Sequence, residues 1–73
     1  MSHERIERDP DVMVGKPVVR GTRITVELIL RHVAEGVSFA SIVEAYPRLT
    51  IDDVKAAIGY AADYISHEGL IAA

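Results

Sequence analysis

The densest collection of groups able to do chemistry is Gly15-Lys16-Pro17-Val18-Val19-Arg20-Gly21-Thr22-Arg23, where three cations are interspersed with two glycines. Glycine permits positive φ and close backbone approach, and arginine presents a planar donor fork that matches a phosphate or a carboxylate. Lys16, Arg20, Gly21, Thr22 and Arg23 are therefore the candidate binding residues, for nucleic acid or for an acidic protein pocket. The competing reading is structural: Gly21 turns the chain while Arg20 and Arg23 pair with carboxylates of the same protein. A phosphate-binding P-loop is excluded, because the Gly-Lys-Ser/Thr ending and the strand-to-helix setting are absent.

Catalysis would need a nucleophile with its base, or a carboxylate cluster held in a cleft. Asp52, Asp53 and Glu44 lie near one another in sequence, but adjacent helix positions do not face each other. Two carboxylates at the start of a helix serve its unpaired amides and its dipole instead. His3, His32 and His67 are far apart and lack ligand spacing, so His32 reads as a helix-surface residue and His67 as part of a tail. Ser38 and Ser41 have no histidine beside them, and the tyrosines suit a core or an interface. The expectation is a binding protein and not an enzyme, with no catalytic residue, metal site or cofactor.

These residues must be positioned by a chain of 73 residues, which has room for one domain, 1–73. Half of it is hydrophobic (49%) and 26% is charged, a balance that folds. No cysteine is present, so neither disulfides nor thiolate metal sites can staple so small a core, and self-association is the remaining staple. No stretch approaches the length of a membrane span: the longest run free of Asp, Glu, Lys and Arg is Gly36 to Val43. With no signal-peptide pattern at the start, a cytoplasmic location without a membrane partner is expected. Residues 1–25 carry five cations against four carboxylates, a net +1, whereas residues 26–73 carry three against seven, a net −4. An anion-binding surface therefore belongs in the first third.

Residues 26–66 read as three helices. Thr25 caps a first helix with Val26, Ile29, Leu30 and Val33 on its inner face and Glu27, Arg31 and Glu35 outside; Gly36 stops it. Ser38 caps a second, with Phe39, Ile42, Val43 and Tyr46 inward and Pro47 ending it. Thr50 with Asp53 fits a capping box, and Leu49 with Val54 a hydrophobic staple, for the third. Val54, Ile58, Ala61 and Ile65 then form one apolar stripe, while Tyr60 and Tyr64 begin a second. That second stripe, with Ala57 and Ala61, is the expected homodimer interface: Ala57, Tyr60, Ala61 and Tyr64. Gly59 within this helix either lets another helix approach or is tolerated on an exposed side.

Residues 1–25 form an arm with β-favouring runs at Val12 to Val14 and Pro17 to Val19, separated by turns at Asp9-Pro10-Asp11 and Gly15-Lys16-Pro17. Two or three short strands are expected, packed on the helices because an isolated hairpin is only marginally stable. The fold class is thus mainly α, a three-helix core (26–66) with a short N-terminal β arm and a tail (67–73). The second and third helices have the spacing of a helix-turn-helix, but Asp52 and Asp53 open the helix that would enter DNA, with only Lys55 as a nearby cation.

The chain resembles the bacterial and archaeal family called domain of unknown function 433 (DUF433). The likeness rests on Gly15 to Arg23, Ile24 to Val26, Ala34-Glu35-Gly36, Tyr46-Pro47, Leu49-Thr50, Asp53-Val54 and Ala57. It spans about Ile6 to Ala62; Thr25 replaces the proline often found after the isoleucine. The resemblance implies a homeodomain-like three-helix fold with a β arm. It also implies the role of a VapB-like antitoxin of a PIN-like nuclease in a type II toxin-antitoxin system, with operator DNA as a further partner. In such a role Arg20 and Arg23 would compete with the metal held by the nuclease carboxylates. The alternative is a stand-alone DNA-binding transcriptional regulator.

Overall fold

The structure, a computed structural model, describes residues 3–72, with side chains described through Ser66. Two strands, β1 (Ile6–Glu7) and β2 (Val18–Val19), precede three helices, α1 (Val26–Ala34), α2 (Phe39–Ala45) and α3 (Ile51–Ala72). The strands are antiparallel, with Ile6 opposite Val19 and Glu7 opposite Val18. On its other side β2 is bridged to the segment entering α1, through Val18 and Thr25, and the Val26 amide donates to the Pro17 carbonyl at 2.9 Å. The arm is thereby sewn to α1.

Side-chain caps begin all three helices. Thr25 Oγ1 accepts from the Leu28 amide at 3.0 Å, and Ser38 Oγ accepts from the Ser41 amide at 3.1 Å. Thr50 Oγ1 accepts from the Asp53 amide at 3.2 Å while Asp53 Oδ2 accepts from the Thr50 amide at 2.9 Å, a complete capping box. Gly36 ends α1 with φ +84°, a conformation that costs a residue with a Cβ. Pro47 disfavours helical geometry at Tyr46, which sits at φ −124°, ψ 84°, and α2 stops there.

Ile6 and Val19 from the arm meet Val26 and Ile29 of α1, Ile42 of α2, Leu49 of the α2–α3 turn, and Val54 and Ala57 of α3 in one buried cluster. Ile29, Val54 and Ala57 have no exposed surface. Ala57 therefore cannot line a dimer surface, contrary to the sequence-based assignment. The inward face of α3 is centred on Asp53, Val54 and Ala57, while Ile65, at 66% exposure, lies outside it. The third helix also runs on through Ala72, past the expected boundary at 66.

Val12 to Val14 is not a strand. Asp9 Oδ1 accepts from the Asp11 amide at 2.9 Å, and successive amides of Val12, Gly15 and Lys16 bond back three residues. This local turn chemistry wins over the β preference of Val-Met-Val. The strand that pairs with β2 is instead Ile6–Glu7, which no run of β-favouring residues announced. Met13 and Val14 sit at φ +49° and +57°, the left-handed region, and Val14 is almost fully exposed. For a β-branched residue that geometry costs roughly 1–2 kcal/mol, partly offset in a glycine by greater unfolded-chain entropy. Val14→Gly is expected to stabilise the protein by about 0.5–1 kcal/mol in urea unfolding; a destabilised variant would show that Val14 is held by contacts beyond this turn.

Candidate binding surface

After β2 the chain reverses over Arg20 to Arg23. Gly21 adopts φ +78°, and a Cβ there would meet nothing within 4 Å, so the glycine serves conformation and not space. Its amide donates to Glu7 Oε2 of β1 at 3.2 Å, and its carbonyl accepts from Arg48 Nη2 at 2.9 Å. Thr22 Oγ1 donates to the Val19 carbonyl at 2.7 Å and accepts from the Ile24 amide at 3.0 Å. Gly21 and Thr22 thus build the turn. The turn is fastened to β1 on one side and to the α2–α3 connection on the other.

On this scaffold Arg20 and Arg23 are exposed, and among the described residues neither forms a salt bridge. The reading in which they pair with the protein's own carboxylates is therefore not what the structure shows. Arg20 borders a shallow hollow shared with Glu4, Arg5 and Asp53. Lys16 is different: its Nζ lies 3.2 Å from Glu27 Oε1, and the same carboxylate takes Arg31 Nη2 at 3.0 Å. Hydrogen bonds from Arg31 and then Lys16, with the attraction of both charges, hold the Glu27 carboxyl below its ordinary range. What the triad contributes is present above the unfolded-state pKa of Glu27 and is lost as pH falls through the lowered folded value. Exposure keeps that contribution small.

Neither Arg48 nor Arg5 stands out in the sequence, because each acts on a partner far along the chain. Arg48 lies 27 positions from the carbonyl it binds. Arg5 Nη1 lies 3.1 Å from Asp53 Oδ1, tying the start of the arm to the start of α3. Asp53 is buried and fully used by Thr50 and Arg5, whereas Asp52 is exposed and 3.9 Å from Arg5. The two carboxylates serve the helix start and do not form an acid/base pair.

The histidines stay apart. His3 Nε2 lies 2.8 Å from Asp63 Oδ2, with its ring edge-on to Tyr60. His32 is not a free surface residue, since its Nε2 is 3.0 Å from the Tyr46 hydroxyl, joining α1 to the end of α2. The side chain of His67 lies outside the described residues. Among the described residues no group of three or more His, Asp or Glu could hold a metal ion, and no helix is long and apolar enough to cross a membrane.

Comparison with known proteins places this geometry among relatives. The family described as protein of unknown function (DUF433) matches residues 6–61. The chain is 38% identical over 60 residues to "Uncharacterized protein y4eO" of Sinorhizobium fredii (strain NBRC 101917 / NGR234), covering 82% of this chain and 27% of that protein. It therefore spans about a quarter of that relative's length. The crystal structure of a DUF433 member from Anabaena variabilis ATCC 29413 superposes with a TM-score of 0.79 at 28% identity, covering 94% of this chain and 69% of the other.

Proposed function

Starting from the chain's membership of the DUF433 family, we propose that it is a cytoplasmic, non-catalytic antitoxin-like protein that works as a homodimer and neutralises a PIN-like ribonuclease. The observation that carries this reading is the pair Arg20 and Arg23, exposed and without ion pairs among the described residues, on a turn anchored by Glu7 and Arg48. The turn backbone that carries them is already ordered, so only the two side chains lose freedom on binding, and their planar donor forks match the carboxylates that such a nuclease uses to hold divalent metal. Inserted there, they displace the cation electrostatically and leave the nuclease without it.

The test is co-expression with a PIN-like nuclease encoded beside this chain, followed by affinity capture and an RNA-cleavage assay. A co-purifying complex with suppressed cleavage is expected; a nuclease that stays fully active beside an excess of this protein overturns the reading. Operator DNA is a second partner, favoured by Arg48, which adds a third cation at the α2–α3 connection. Binding to DNA through these cations would weaken steeply with salt, whereas the acidic start of α3 makes it a poor reading helix.

A further inference from the structure

The chain carries eight lysine and arginine residues, all of them among the described residues. Three are neutralised within the protein: Arg5 by Asp53, and Lys16 and Arg31 by Glu27. Arg8, Arg20, Arg23, Arg48 and Lys55 form no ion pair with a described residue. Two of these stand apart. Arg8 borders the groove between α1 and α3 that Tyr60, Ala61 and Tyr64 help to line, beside the Glu27 cluster. Lys55 borders a separate hollow, which it shares with Glu4 and Asp52.

Arg20, Arg23 and Arg48 instead meet at one turn. Arg20 and Arg23 flank Gly21-Thr22 in the chain, and Arg48 reaches the same turn through Nη2, which donates to the Gly21 carbonyl at 2.9 Å. That bond uses one N–H of Arg48 and leaves the rest of its exposed donor fork for another acceptor. Neither Arg20 nor Arg23 spends a side-chain donor on a described residue. The carboxylates at this end are largely committed: Glu7 accepts from the Gly21 amide, and Asp53 from the Thr50 amide and Arg5. Glu4 alone remains at the Arg20 hollow, one charge against three guanidinium groups.

From this distribution we infer that the nuclease and nucleic acid exclude each other: both compete for the Gly21 turn, so that nucleic acid releases the nuclease and the nuclease strips the protein from nucleic acid. The inference rests on the proposed function and adds the rule by which its two partners share one site. Nuclease carboxylates and nucleic-acid phosphates are both anionic oxygen acceptors that take the same planar donor fork. A guanidinium group seated on one is closed to the other. Holding both at once would need a second cluster of unpaired cations, and among the described residues there is none. Residues 26–73 carry a net charge of −4, which repels a polyanion from the rest of the helical surface. Exclusion acts protomer by protomer, so in a dimer it is complete once the nuclease occupies both turns.

The test measures how much of the full chain is retained on beads carrying short DNA duplexes of mixed sequence, at low salt, with and without a purified PIN-like nuclease. Mixed sequence serves because phosphate contacts carry no sequence information. Duplex is kept in excess, so that nuclease touching DNA leaves the free duplex unchanged. With the nuclease at about ten times its own dissociation constant for the chain, the apparent dissociation constant for duplex should rise at least about tenfold. By reciprocity, duplex should weaken nuclease binding by the same factor. Arg20→Ala/Arg23→Ala should lower the salt slope of duplex binding by about 2, whereas Arg8→Ala and Lys55→Ala leave it unchanged. Chain that stays on the duplex with the nuclease bound to it overturns exclusion and leaves both partners standing. Duplex binding that is absent, or indifferent to the double variant, overturns exclusion and leaves the nuclease reading intact. A nuclease that does not bind the chain overturns the proposed function and exclusion with it.

Discussion

Replacing Ile29 by alanine is expected to remove about 2–5 kcal/mol of stability, the range for deleting most of a large buried aliphatic side chain. Ile29 has no exposed surface and stands where α1 meets the arm and the other two helices. The whole domain is expected to be stable by only about 4–11 kcal/mol at its length, so this one truncation takes a large share. Thermal unfolding should shift down by at least about 10 °C. A shift of only a few degrees would mean that the neighbours collapse into the space, and that the core is less tightly packed than the burial indicates.

The second large effect separates two adjacent carboxylates. Asp53→Ala should cost about 1–3 kcal/mol, because it leaves the Thr50 amide without its acceptor, although Thr50 Oγ1 still caps the amide of residue 53. Arg5 adds less, being half exposed and well solvated once its partner is gone. Asp52→Ala should stay within about 0.5 kcal/mol, since its contacts are long and exposed. Urea unfolding of the two variants side by side checks the contrast. Equal losses would show that charge near the helix N-terminus matters more than the specific bonds of the capping box.

Much of the fold was legible because its signals are local. Thr25, Ser38 and the Thr50–Asp53 pair each act within three residues of themselves, and all three caps are where their sequences put them. What was hidden depends on partners distant in the chain. The strand Ile6–Glu7 is two residues long and exists because Val18 and Val19 arrive beside it. On α3 the expected stripe holds at Val54, Ile58 and Ala61, which reach the core, but not at Ile65, which is exposed, and the small Ala57 is fully buried beside them. Val12 to Val14 failed differently, since an Asx turn from Asp9 overrode a residue preference that holds only where strands pair.

The site divides along the same line. That Arg20, Gly21, Thr22 and Arg23 belong together could be read from the motif, and so could the need for glycine at the turn. Their separation into builders and presenters could not, because it is made by Glu7 and Arg48 reaching the Gly21 peptide from other elements. Lys16 stands beside the arginines in sequence, yet it is spent on Glu27 of α1. The arginines alone remain available to a partner. That availability is the premise on which the functional account stands.

Calorimetric titration of a purified PIN-like nuclease, the partner proposed here, with the unaltered protein and with the double variant Arg20→Ala/Arg23→Ala tests that premise most directly. Loss of two charge-assisted contacts should weaken binding on the order of 100-fold, with folding untouched because neither side chain holds the turn together. Equal affinity for the two proteins would contradict the account.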